Sequence, residues 1–220
     1  MRLMKLAALS IVCIVLFSVS GNGQTPAREG AQPPEGEGMM VPPGFSMTPP
    51  PLTRLEAFGS QRGVLVIKGF TEIAHINGDD GSGIRVVAVQ FADAGHKARE
   101  RGLAIHVVQN ANNADSAQTI SYVDEDEIDA LIENVGALGK LEAGATPMEL
   151  FEARYQTRGE LELANVTSGG GRLISVRGAQ FSPATGQPVF ATASFFPGRM
   201  EELQQRLTAA KQALARLDNK

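Results

Sequence analysis

The side chains with the most chemical potential in this 220-residue chain are three histidines, His75, His96 and His106, and an acidic run, Asp124-Glu125-Asp126-Glu127 with Asp129. His75 and His106 fall in segments with strand character, and His96 in a polar loop. On neighbouring strands, His75 and His106 could share a face and, with one carboxylate, hold a metal or form an enzyme site. No metal-ligand spacing of the kind found in zinc sites supports the first idea. No metal, no cofactor and no catalytic residue is therefore assigned.

The acidic run does not fit a calcium loop, which needs glycine at its sixth position and glutamate at its twelfth. Counting from Asp124 puts Asp129 and Val135 there, and counting from Asn77 puts Ser82 and Ala88 there. Acid at the start of a helix complements the positive end of the dipole and caps free N–H groups, and the run is read that way. Ser168-Gly169-Gly170-Gly171 lacks the following Lys-Ser/Thr of a phosphate loop and precedes a strand, so it reads as a hairpin turn. Asn165-Val166-Thr167 matches a glycan acceptor only by chance at a strand end, and no Gly-x-Ser-x-Gly elbow is present.

Short β-branched runs bounded by Gly, Asn or Asp must position these groups: 64–67, 84–91, 103–108 and 119–123, with 73–77 prolonging the first strand or adding another. From Asp124 to Leu138 the period becomes helical, with Ile128, Leu131, Ile132, Val135 and Leu138 on one face. The plan then repeats, with strands at 149–156, 160–166, 172–179 and 188–196 and a helix from Arg199 to about Leu217. Around Thr157-Arg158-Gly159, Phe151, Ala153, Tyr155, Leu161 and Leu163 share one parity, as in a hairpin with one buried face. A shift of 72 residues carries Ile128, Leu131, Val135 and Leu138 onto Met200, Leu203, Leu207 and Ala210. The expected fold is α+β: two tandem ββββα units with antiparallel sheets, about 63–141 and 148–218, sharing one core.

The flanking sequence speaks to compartment. Arg2 and Lys5 precede an apolar or small run from Leu6 to Val19, followed by small residues, the pattern of a signal peptide over 1–23 cleaved after Ser20 or Gly23. That run is shorter than the roughly 20 residues of a membrane span. Cleavage would remove Cys13, the one cysteine, and shift the net charge from −4 to −6. Eight of the 12 prolines lie in 24–53, which reads as an extended linker ahead of a globular domain over 54–220.

Two resemblances add to this reading. Tyr122-Val123-Asp124-Glu125-Asp126-Glu127-Ile128 with Tyr155-Gln156-Thr157-Arg158-Gly159 resembles a family of small uncharacterised exported bacterial proteins, which implies a fold and no activity. The duplicated ββββα outline is similar to Whirly and Pur single-strand nucleic-acid-binding folds. Acidic charge, two tyrosines and no tryptophan depart from what stacking and phosphate binding need. The expectation is a periplasmic or extracellular, non-enzymatic binding or structural module of the bacterial envelope. Its partner would be an envelope or extracellular protein; nucleic acid is disfavoured, and self-association stays open. The alternatives are an enzyme built on His75, His106 and a carboxylate, and a single-strand nucleic-acid-binding module.

Overall fold

The computed structural model describes residues 51–95, 98–110, 116–142, 144–168, 171–182 and 185–219. The expected signal segment with Cys13, the expected linker up to residue 50, and His96 lie outside the described residues. The chain divides at residues 43 and 44, and all described residues belong to the second unit.

A short helix, α1 (Arg54–Gly59), opens the domain. Thr53 caps it through a reciprocal pair of bonds with Glu56, so this last position of the expected linker is a buried part of the domain. Four strands follow, β1 (Val66–Asn77), β2 (Gly83–Asp93), β3 (Arg99–Gln109) and β4 (Ala117–Asp124), forming an antiparallel sheet A in chain order. Residues 73–77 prolong β1, past a bulge between Glu72 and Ala74. A 3₁₀ turn (Glu125–Glu127) leads into α2 (Ile128–Lys140). The second unit repeats the order with β5 (Glu152–Gln156), β6 (Glu162–Ser168), β7 (Gly171–Phe181) and β8 (Pro188–Phe195) in sheet B, then a 3₁₀ turn (Pro197–Arg199) and α3 (Met200–Ala215). The fold is α+β with tandem ββββα units, and both turns and both helix starts obey the 72-residue shift.

The eight stripe positions related by the 72-residue shift are buried, and Ile132 is half-buried against the same core. Each helix, however, covers the sheet of the other unit. α2 leaves sheet A and packs on β5 and β6, whereas α3 leaves sheet B and packs on β1, β2 and β3. Where the helices cross, counterparts meet: the Gln204 amide donates to the Ile132 carbonyl, 72 residues earlier, at 3.2 Å. One core results, joining Ile84, Val86, Leu103 and Ile105 of sheet A to Leu163, Ile174, Val176 and Phe195 of sheet B.

Beside the helices the two sheets meet directly, β3 and β4 against β7 and β8. Gly178 makes this approach feasible, because a Cβ there would overlap the Thr119 side chain and crowd the Ser121 hydroxyl. Glutamines satisfy strand-edge donors at the seam: Gln180 Oε1 accepts from Ile120 N–H at 2.9 Å, and Gln109 Oε1 accepts from Thr192 N–H at 3.2 Å. No helix among the described residues is long and apolar enough to cross a membrane.

A shared core predicts a single cooperative unfolding transition for both halves. Gly178→Ala should keep that single transition and lower stability by about 2 kcal/mol through overpacking, read from the urea midpoint at constant slope.

Candidate functional site

Sheet A has two apolar faces, because β2 alternates two sets of buried side chains. Ile84, Val86 and Ala88 enter the main core, whereas Val87, Val89 and Phe91 form a second cluster on the outer face. Leu55 and Phe58 of α1 cover one end of that outer face. Asp124 holds the cover in place. Its carboxylate is 1% exposed, accepts the backbone N–H groups of Arg54 and Leu55 at 3.0 and 3.1 Å, and lies 3.7 and 3.6 Å from the Arg54 and Arg158 guanidinium groups.

This corrects the expectation for the acidic run. It does precede a helix, but β4 continues through Asp124, α2 begins only at Ile128, and no side chain caps either the 3₁₀ turn or α2. Asp124 instead caps α1, seventy residues earlier in the chain. Glu127 accepts the Arg158 N–H at 2.9 Å, and Asp126 pairs with Arg54 at 2.9 Å and with Arg158. Burial alone would raise the Asp126 carboxyl; the Arg158 bond and the charges of Arg158 and Arg54 outweigh it and hold the carboxyl below its ordinary value. The two sequence motifs, one ending in Asp126-Glu127 and the other in Arg158-Gly159, therefore meet as a lock between the β5–β6 hairpin and the start of α2.

Beyond α1 the outer face is open. Lys68 of β1 places its Nζ 3.2 Å from the Tyr122 hydroxyl and 5.5 Å from the ring centres of both Phe91 and Tyr122. Next to it Phe70 stands 72% exposed. At the far end, Arg85 of β2 pairs in register with His75 of β1 on one side and His106 of β3 on the other. Both histidines are thus on one face, although the condition on which the sequence reading rested that possibility does not hold. They are not on neighbouring strands, and a guanidinium stands between them. Among the described residues, no group of three or more His, Asp or Glu is placed to hold a metal ion.

Arg85 NH2 lies 3.4 Å from His106 Nδ1, and the Gln118 amide nitrogen lies 3.1 Å from the same atom. A guanidinium only donates, so Nδ1 is an acceptor and the neutral ring carries its proton on Nε2. Burial, then the charges of Arg85 and Lys68, push the His106 pKa below its ordinary value against a weaker opposite pull from Glu72. Arg85 NH1 has a distant carboxylate, Glu72 Oε2 at 3.9 Å. Glu72, His75, Asn77, Arg85 and Val108 line a shallow cleft of about 650 Å³ with the β1–β2 turn.

That turn is spent on structure. The Asp79 carboxylate accepts the Phe196 N–H at 2.7 Å, and Asp79 N–H donates to the Ser194 carbonyl at 2.9 Å. The Ser82 hydroxyl bonds to Asp80 and accepts the Ser194 N–H at 3.1 Å. Burial would raise the Asp80 carboxyl, but the bonds from Ser82 and Ser194 together lower it. Ser82, the hydroxyl on the cleft wall, therefore has both its donor and an acceptor site engaged. Asn165 is likewise occupied, donating its side-chain amide to the Leu138 carbonyl at 2.7 Å inside the core, and Ser168 pairs with Gly171 across the β6–β7 hairpin.

Sequence reasoning missed Arg85 and Lys68, and the signal for Arg85 was present. It is a lone cation within Ile84–Phe91, with the parity of Val87, Val89 and Phe91. Comparison with protein-family models, curated proteins and solved structures found no match for this chain.

Asp124→Asn should lower stability by about 3 kcal/mol in denaturant titration, since an amide replaces a buried acceptor-only group serving one buried and one partly buried N–H donor and facing two guanidinium groups. For His106, the folded pKa lies below the unfolded 6.5. Its stabilising share is full above pH 6.5 and is lost as pH falls through the folded value. Thermal melts from pH 7.5 to 5 should show a drop in Tm that His106→Asn reduces.

Proposed function

We propose that the chain is an exported, non-enzymatic binding module of the bacterial envelope whose working surface is the open outer face of sheet A. The observation that carries this reading is the row His75–Arg85–His106 on adjoining strands β1, β2 and β3, with Arg85 at 3.9 Å from its carboxylate neighbour. At that distance Arg85 retains most of its capacity for a bidentate bond to an incoming carboxylate. The ligand chemistry that fits is an acidic segment of an envelope or extracellular protein, its apolar side chains resting on Phe70 and its carboxylates on Arg85. Catalysis finds less support here, because His106 Nδ1 is turned toward two donors and the Ser82 hydroxyl is already bonded to Asp80.

Single-strand nucleic acid is the weaker alternative for a physical reason. Stacking needs several free ring faces. Phe91 is buried and Tyr122 is half-buried with Lys68 close to both rings, which leaves Phe70 as the exposed phenyl ring among the described residues of this face, with the His75 imidazole at its far end beside a guanidinium.

Fluorescence titration with a labelled acidic peptide and with an oligothymidine of similar length separates these readings. The peptide should bind the wild-type chain more tightly than the oligonucleotide does, and Arg85→Gln should weaken it about tenfold, the equivalent of one charge-assisted bond. Tighter binding of the oligonucleotide, or a peptide affinity indifferent to Arg85→Gln, overturns the proposal.

A further inference from the structure

The outer edges of β4 and β8 and that of β1 are treated differently by this fold, and the contrast points to a partner. At β4 and β8, side-chain amides of Gln180 and Gln109 meet outward backbone donors. β1 is the first strand of sheet A, twelve residues long, and bonds to β2 alone among the described residues. It has no proline, and around it Leu65 and Phe70 are each 72% exposed, with Val64 at 47% and Ile67 at 46%. A long, apolar, uncovered edge is a template for strand addition.

The orientation of the edge can be worked out residue by residue. Ala94 N–H donates to the Leu65 carbonyl at 3.0 Å, so Leu65 turns its polar groups toward β2. Antiparallel ladders alternate, and Ile67, Gly69 and Thr71 therefore do the same, while Val66, Lys68, Phe70 and Glu72 present N–H and C=O outward until the bulge after Glu72. The side chains of Lys68, Phe70 and Glu72 all stand on the outer face, in register with Phe91, Val89 and Val87.

We infer that two copies of this chain pair through β1, antiparallel, about a two-fold axis at Phe70. That register sets Phe70 opposite Phe70 of the second copy, and Lys68 opposite Glu72 in both directions. All three pairs use outward-facing backbone groups, so each closes its ladder bonds, and the only charged side chains between Val66 and Glu72 meet with opposite sign. A symmetric contact of this kind is self-complementary and closed, which stops addition at two copies. The product is an eight-stranded continuous sheet with its two outer faces side by side.

Sedimentation velocity on the full chain, without any added ligand, tests this. The expected result is a concentration-dependent dimer. Lys68→Glu alone and Glu72→Lys alone should each weaken it about tenfold, since each places like charges opposite one another twice. The double exchange, Lys68→Glu with Glu72→Lys, should restore wild-type affinity to within about threefold, a rescue that a misfolded variant would not show. Phe70→Cys on a Cys13→Ser background should cross-link under mild oxidation. Directly opposed residues of a hydrogen-bonded pair have Cα atoms about 5.5 Å apart, which a disulfide spans. A monomer up to about 100 µM, including one whose edge is taken by its own N-terminal segment, overturns the inference, as does a dimer insensitive to both charge reversals.

Discussion

Neither half of this domain can bury its own sheet, and the rest of the structure follows from that. The apolar stripe of α2 is needed on β5 and β6, and that of α3 on β1 to β3, so the two units must fold around each other. The preserved 72-residue spacing is what such an exchange requires, because both helices have to reach across by the same path. One departure from the repeat falls where the halves touch. Gly136 has Thr208 as its counterpart, and a Cβ at Gly136 would overlap the Gln204 side chain that bonds to Ile132. The missing side chain at Gly136 leaves the groove into which Gln204 packs.

An exchanged core leaves seams at which backbone groups of one unit face the other, and polar residues close them. The β1–β2 turn is tied to the end of β8 by Asp79, Ser82 and Ser194, and Arg199 donates to the Asn77 carbonyl at 3.2 Å from the turn before α3. At the opposite side Asp124 receives α1, and Arg158 brings the β5–β6 hairpin to the same carboxylate. Asp124, the buried carboxylate among them, costs little because it meets several donors, whereas an unmatched carboxylate in the same place would be costly. These polar contacts fix which surfaces meet more than they deepen the core.

Much of the architecture was legible in the residues themselves. The stripe Ile128–Leu138 and its counterpart Met200–Ala210 are core because a helix has one period and an interior has one sign. Parity in the hairpin around Thr157-Arg158-Gly159 told inside from outside for Leu161 and Leu163 in the same way. Contacts between distant segments were not legible. A local reading gives acid before a helix to that helix, and nothing near Asp124 announces that α1 lies across it. The same limit applied to His75 and His106: composition put each on a strand, but only strand order and register set them on one face with Arg85 between them. α1 itself is six residues long, too short for a periodic signal, and its cap Thr53 lies among prolines that read as linker.

The two sheets, alike in plan, have been finished differently on the outside. On sheet B, Arg154 lies 3.3 Å from Glu162 and also pairs with Glu152, while Arg177 stacks 4.2 Å from the Phe190 ring centre. Those cations are matched within their own sheet. On sheet A, α1 covers the aromatic end, and the remaining cation of the far end, Arg85, has its carboxylate at 3.9 Å and a ring nitrogen at 3.4 Å. A guanidinium held by two long contacts gains more from an incoming carboxylate than one already in a short pair, because less existing bonding has to be given up. That difference in unmet bonding capacity, rather than any difference in fold, is what makes sheet A the working surface in the proposed reading.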